Sequence, residues 1–118
     1  MDVLEDAAAL FKLLSHPSRL AILQVLRDGD ECVCHLEATL GLRQAYISQQ
    51  LMVLRQAGLV TDQREGWNVF YRVVKPEVYA LMDAALATVQ PEGVSLRLTR
   101  HASPAACPCP KCQREPVL

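Results

Sequence analysis

A chain of 118 residues, 51% of them hydrophobic and with a formal net charge of −1, fits one small domain that dimerisation would help to stabilise. The balance does not announce a nucleic-acid binder, and no apolar run approaches the ~20 residues needed to span a bilayer. Five cysteines is an odd number. Because the acidic start MDVLEDAAAL shows no basic leader, these cysteines point to thiolate chemistry in a cytoplasmic protein rather than to a disulfide scaffold.

Charge is unevenly placed. Residues 1–41 hold three basic and seven acidic side chains, residues 42–75 five and two, and the remainder four of each. The middle third is therefore locally basic. Along the chain, Val3, Ala7, Leu10 and Leu14 recur at helical intervals and predict an amphipathic first helix. In SHPSRLAILQVLRDG, Ser15 or His16 is placed to cap a second helix, Pro17 suits its first turn and Gly29 stops it. Leu20, Ile22, Leu23 and Leu26 read as its core face. CVCHLEATLG predicts a short helix ending at Gly41, and LRQAYISQQLMVLRQAG a longer one with Ile47, Leu51 and Leu54 inward and Gly58 as its end. Only a few residues around Gly41–Arg43 separate the two, the spacing of a helix-turn-helix.

The periodicity then changes. LVTDQR and VFYRVV flank EGWN, a Gly-containing turn, and predict a hairpin. Pro76 opens a last helix with an apolar stripe of Val78, Leu81, Met82, Ala85, Leu86 and Val89. Apolar first and last helices in so small a domain suggest surfaces that meet a second copy of the chain. From Gln90 prolines interrupt any regular element. The expected organisation is thus a mainly α winged helix-turn-helix domain over 1–90 with a small β-hairpin, homodimeric through its terminal helices, and an irregular tail over 91–118.

LSHPSRLAILQVLRDG, ISQQLMVLRQAGLV and REGWNVFYRV resemble blocks of the ArsR/SmtB metal-sensing repressors, and ECVCHLE resembles the C-x-C block of their arsenic- and cadmium/lead-responsive members. The resemblance spans roughly residues 5–90. It implies a homodimeric repressor that binds a palindromic operator and releases it when a metal or metalloid binds. An enzyme is not expected, since C-x-C lacks an adjacent base, no Gly-rich loop would cradle a phosphate and no paired carboxylates share a face. Such proteins sense through thiolates at the first helix of the helix-turn-helix, or through Asp and His ligands on the last helix. Residues 76–90 offer only Glu77 and Asp83, so the second route is not expected.

On the predicted recognition helix Gln44, Ala45, Tyr46, Ser48 and Gln49 occupy the outer N-terminal face. Gln can pair with adenine, Ala can touch a thymine methyl and Ser can meet a base or a phosphate. Arg43, Arg55 and, on the wing, Arg64 suit phosphates. Trp67 at the hairpin tip either probes a minor groove or packs on its own hairpin.

Cys32 and Cys34 stand two apart, and on a regular helix they would point to nearly opposite sides. They can share one ion if Cys32 sits at or before the helix cap, where free N–H groups favour thiolate over thiol. The expected cost is distortion of the helix's first turn, which would act as a switch. Two sulfurs are too few for a tight site. One more thiolate from Cys107, Cys109 or Cys112 completes a trigonal site suited to As(III), and two more an S4 site suited to Cd(II), Pb(II) or Zn(II). His35 is expected on the helix surface, and His16 as a cap or packing residue. Alternatives are a thiol redox or persulfide sensor of the same fold and, in another class, a metal-buffering protein without DNA binding. Paired small cysteines also occur simply as buried residues.

Overall fold

In the computed structural model, which describes residues 2–90, α1 (Val3–Leu14) starts at Asp2, whose carboxylate accepts the Leu4 N–H at 3.1 Å. The predicted tail over 91–118 lies outside the described residues. His16 is the N-cap of α2 (Pro17–Leu26), through its extended backbone and without a side-chain hydrogen bond, and Pro17 fills the first turn. α3 (Val33–Leu40) and α4 (Gln44–Gln56) are separated by Gly41–Arg43. Gly41 has φ 67°, and its N–H reaches the Glu37 carbonyl at 2.9 Å. That left-handed stop, strained for any residue with a Cβ, lets the chain turn from one helix into the next within three residues.

The largest fully buried side chains are Ile22 and Leu23 from α2, Leu36 from α3, and Ile47, Leu51 and Leu54 from α4. The helix-turn-helix and the helix before it thus form the centre of the core. Leu20 departs from its expected place among them. It is 36% exposed and lines a groove instead, together with Phe11 of α1 and Met82 and Leu86 of the last helix. On α1 only Leu14 is buried.

The wing is β2 (Val60–Glu65) and β3 (Asn68–Val73), antiparallel from Val60↔Val73 to Glu65↔Asn68. The turn is tighter than EGWN suggested: it comprises Gly66 and Trp67 alone. Gly66 has φ 62° and among the described residues none other than glycine has positive φ, the arrangement of a type II′ turn, whose twist suits a hairpin. A third strand was not expected. β1 (Glu31–Cys32) pairs antiparallel with β3, giving the order β1-β3-β2.

α5 (Glu77–Val89) closes the domain, with Val78, Tyr79 and Met82 buried. The Arg27 N–H turns to the Gln24 carbonyl, and the Tyr79 hydroxyl donates to the Leu23 carbonyl at 2.6 Å. Burial pushes the Tyr79 phenol well above its ordinary range. The Arg27 guanidinium lies 4.9 Å from the Tyr79 ring centroid and grips both Asp83 oxygens, at 2.8 and 2.7 Å. These contacts clamp α5 onto the end of α2.

Candidate sensor site and nucleic-acid interface

Cys32 is both the last residue of β1 and the N-cap of α3. Its backbone is extended, φ −86° and ψ 164°, and its Sγ accepts the His35 N–H at 3.4 Å. Cys34 lies in the first turn of α3. The two sulfurs are bonded to each other, with Cα atoms 5.4 Å apart. Cys32 stands at the cap of α3, the position at which the two cysteines were expected to be able to converge, and in the bonded form α3 runs regularly from Val33 to Leu40. The bonded pair is the oxidised form, and a soft ion requires the reduced thiolates.

Cys32 is 3% exposed and packs with Phe70, with Cys34 beside them. Two soft donors at one point fit a thiophilic ion in kind but not in number. Among the described residues no group of three or more His, Cys, Asp and Glu is arranged to hold a metal ion. Cys107, Cys109 and Cys112, the expected further ligands, lie outside the described residues. On α5, Asp83 is engaged by Arg27.

His35 corrects the sequence expectation. It is buried, not on the surface, and its Nδ1 lies 3.7 Å from Oε1 of the equally buried Glu31. The cause is β1, which carries Glu31 as the partner of Tyr71 on the wing and so covers the first turn of α3. Nothing in the pattern of α3 itself signals that cover.

The opposite face of the helix-turn-helix is open. Arg43, the N-cap of α4, and Gln44, Ala45, Tyr46, Ser48 and Gln49 are exposed around the buried Ile47. Tyr46 is less free than expected, since its hydroxyl is 2.7 Å from the Ser18 hydroxyl. Arg55 is 62% exposed, and its Nε is 3.1 Å from Asp62 on β2. Arg64 is exposed on β2, and Trp67 at the tip is 99% exposed, which removes packing against its own hairpin. Sequence reasoning missed Arg19, whose guanidinium joins the Gln50 side chain at 2.8 Å to the Leu13 carbonyl at 2.9 Å. Together Ser18 and Arg19 hold α4 at two polar points. The only signal was the pair of polar residues Ser18 and Arg19 in the first turn of a mainly apolar second helix.

The profile of the bacterial regulatory protein, arsR family, matches residues 16–62, from the cap of α2 into the wing. A biofilm growth-associated repressor of Agrobacterium fabrum is 43% identical over 82 residues, 70% of each chain. The arsenic resistance transcriptional regulator ArsR1 of Pseudomonas putida is 40% identical over 109 residues, 83% of this chain and 84% of that one. The chain belongs to the ArsR/SmtB family. The structure of the antimony-specific transcriptional repressor AntR superposes with a TM-score of 0.66 at 31% identity, covering 74% of this chain and 79% of that one. This ArsR/SmtB protein is thus a transcriptional repressor with a winged helix-turn-helix fold, and not an enzyme. Among its described residues no helix is long and apolar enough to cross a membrane.

Proposed function

We propose that this repressor senses a thiophilic metal(loid), As(III) first among them, through the thiolates of Cys32 and Cys34 and one or more of Cys107, Cys109 and Cys112. The protein works in the cytoplasm as a homodimer on a palindromic operator and leaves that operator when the ion binds. The observation that carries this reading is the convergence of two sulfurs at the N-cap of α3, the first helix of the helix-turn-helix. Reduced, the pair supplies two soft donors beside helix N–H groups that stabilise thiolate. A third sulfur makes the trigonal set that suits As(III), and a fourth the set that suits Cd(II), Pb(II) or Zn(II). The similarity to an arsenic resistance regulator along most of both chains supports the metalloid. Family membership sets aside the metal-buffering alternative.

In the DNA complex Gln44, Ala45, Ser48 and Gln49 face base edges, with the Tyr46 ring alongside. Arg43, Arg64 and Arg55 attract phosphate, Arg55 while still linked to Asp62.

The bonded sulfurs also favour a second reading, a thiol sensor. There a peroxide takes two electrons from the Cys32 and Cys34 thiols, is reduced to water, and leaves the disulfide. One titration separates the two. Operator affinity of the reduced chain is measured with As(III), Cd(II) and peroxide in turn, alongside thiolate-to-ion absorbance for each Cys→Ser variant. Release by As(III), lost in Cys32→Ser and Cys34→Ser and weakened when the three tail cysteines become serine, is the expected result. Release by peroxide alone overturns the metalloid reading.

A further inference from the structure

We propose that an effector held at Cys32 and Cys34 acts on the wing, with Phe70 as the side chain that passes the change along β3. The inference rests on the reading of these two cysteines as the effector site, and it names a route that the sequence did not show. Cys32 belongs to two elements at once. It ends β1 and begins α3, so a pull on its sulfur reaches the sheet as directly as the helix. In the antiparallel register Cys32 stands opposite Phe70, and directly paired residues project from the same face about 4.5–5.5 Å apart. Phe70, itself 6% exposed, shares one small cluster with Cys32 and Cys34, apart from the main core.

β3 is the central strand, and Phe70 also pairs with Gln63 on β2. Three residues along, about 10 Å at about 3.3 Å per residue, lies the exposed tip residue Trp67. The alternative route, through α3, has less to move. With both sulfurs drawn together α3 keeps its full length and its Gly41 stop. The β1–β3 ladder, by contrast, is two residue pairs long against six for β2–β3, so a displacement of Cys32 meets its least resistance there. Packed elements of this kind shift between discrete arrangements.

Trp67 is the one tryptophan of the chain, so its fluorescence reports the wing alone. The full chain, reduced with a phosphine, is titrated with As(III) without DNA. Emission and anisotropy of Trp67 should change with the same midpoint as the thiolate–As(III) absorbance, and neither should change in Cys34→Ser. Phe70→Leu should then bind As(III) with unaltered stoichiometry and keep operator affinity within about twofold without As(III). Its As(III)-driven loss of operator affinity should fall below about fivefold, from a wild-type effect in the 5–150-fold range usual for coupled sites. A merely structural role for Phe70 would move the first two quantities and not the last. If Phe70→Leu does not fold, the wild-type Trp67 titration still decides. A silent Trp67 beside normal As(III) binding and normal release overturns the inference, as does wild-type release in Phe70→Leu. Failure of As(III) to bind, seen in the absorbance, overturns the effector reading and this inference with it.

Discussion

The Sγ of Cys32 accepts the His35 N–H, so the atom proposed to bind the effector also caps α3. A serine hydroxyl is a preferred cap at the same position and can accept the same N–H, whereas alanine cannot. Under reducing conditions Cys32→Ser should therefore stay within about 0.5 kcal/mol of the wild type, while Cys32→Ala should lose about 0.5–2 kcal/mol. Both should lose effector-driven release. Urea unfolding and operator titration on the same samples check the pair. Equal stability of the two variants would mean that the cap contributes nothing. Loss of effector-free operator binding in Cys32→Ser would make the thiol structural. The cap half of this double duty was legible, since Cys32 stands where a capping residue is expected before VCHLEATL, but nothing in ECVCHLE shows the strand that ends at the same residue.

At the scale of elements, legibility follows the range of the interactions. The start of α2 at Pro17 and the stop at Gly41 were legible because local backbone chemistry fixes them. So was the hairpin, whose β-branched and aromatic residues bracket a glycine. β1 was not: two residues are too few to show alternation, and Glu31 and Cys32 are a strand only because Tyr71 and Phe70 lie opposite. The burial of His35 was lost with it. The clamp of α5 on α2 was equally hidden, since Arg27 and Asp83 are 56 residues apart. Its pH dependence is nonetheless predictable. The Arg27 hydrogen bond holds the Asp83 carboxyl below its ordinary value of 3.8. A carboxylate with a lowered folded value adds stability that is present above the unfolded value and fades as pH falls through the folded one. Both partners are substantially exposed, so the effect is small. Asp83→Asn should lower the urea midpoint near neutral pH, and its difference from the wild type should close as pH falls below 3.8. A difference that persists in acid would show that the asparagine disturbs packing rather than charge.

For the whole molecule, α2 is the element on which the proposed subunit contact and the helix-turn-helix converge. One side of it holds α4 through Ser18–Tyr46 and Arg19–Gln50. Another lines an apolar groove of about 500 Å³ with Pro17, Leu20 and Ala21, facing Phe11 of α1 and Leu86 and Val89 of α5. Phe11 is 56% and Val89 72% exposed in the single chain, an apolar surface that a second copy is proposed to cover. Two recognition helices must be spaced about one helical turn of DNA, about 34 Å, to read a palindrome, and the groove walls belong to the helices that would set this spacing. Phe11→Glu puts a charge into that surface without touching the core or the DNA-facing residues. It should leave helix content nearly unchanged, shift sedimentation from dimer to monomer, and lower the unfolding midpoint only by the stabilisation that the subunit contact supplies. Operator affinity should drop at least about a hundredfold, since one half-site's base contacts are lost at about 1–3 kcal/mol for each good bidentate pair. A variant that still sediments as a dimer would place the subunit contact elsewhere. A monomer that retains full operator affinity would separate DNA reading from dimerisation and break the link through α2.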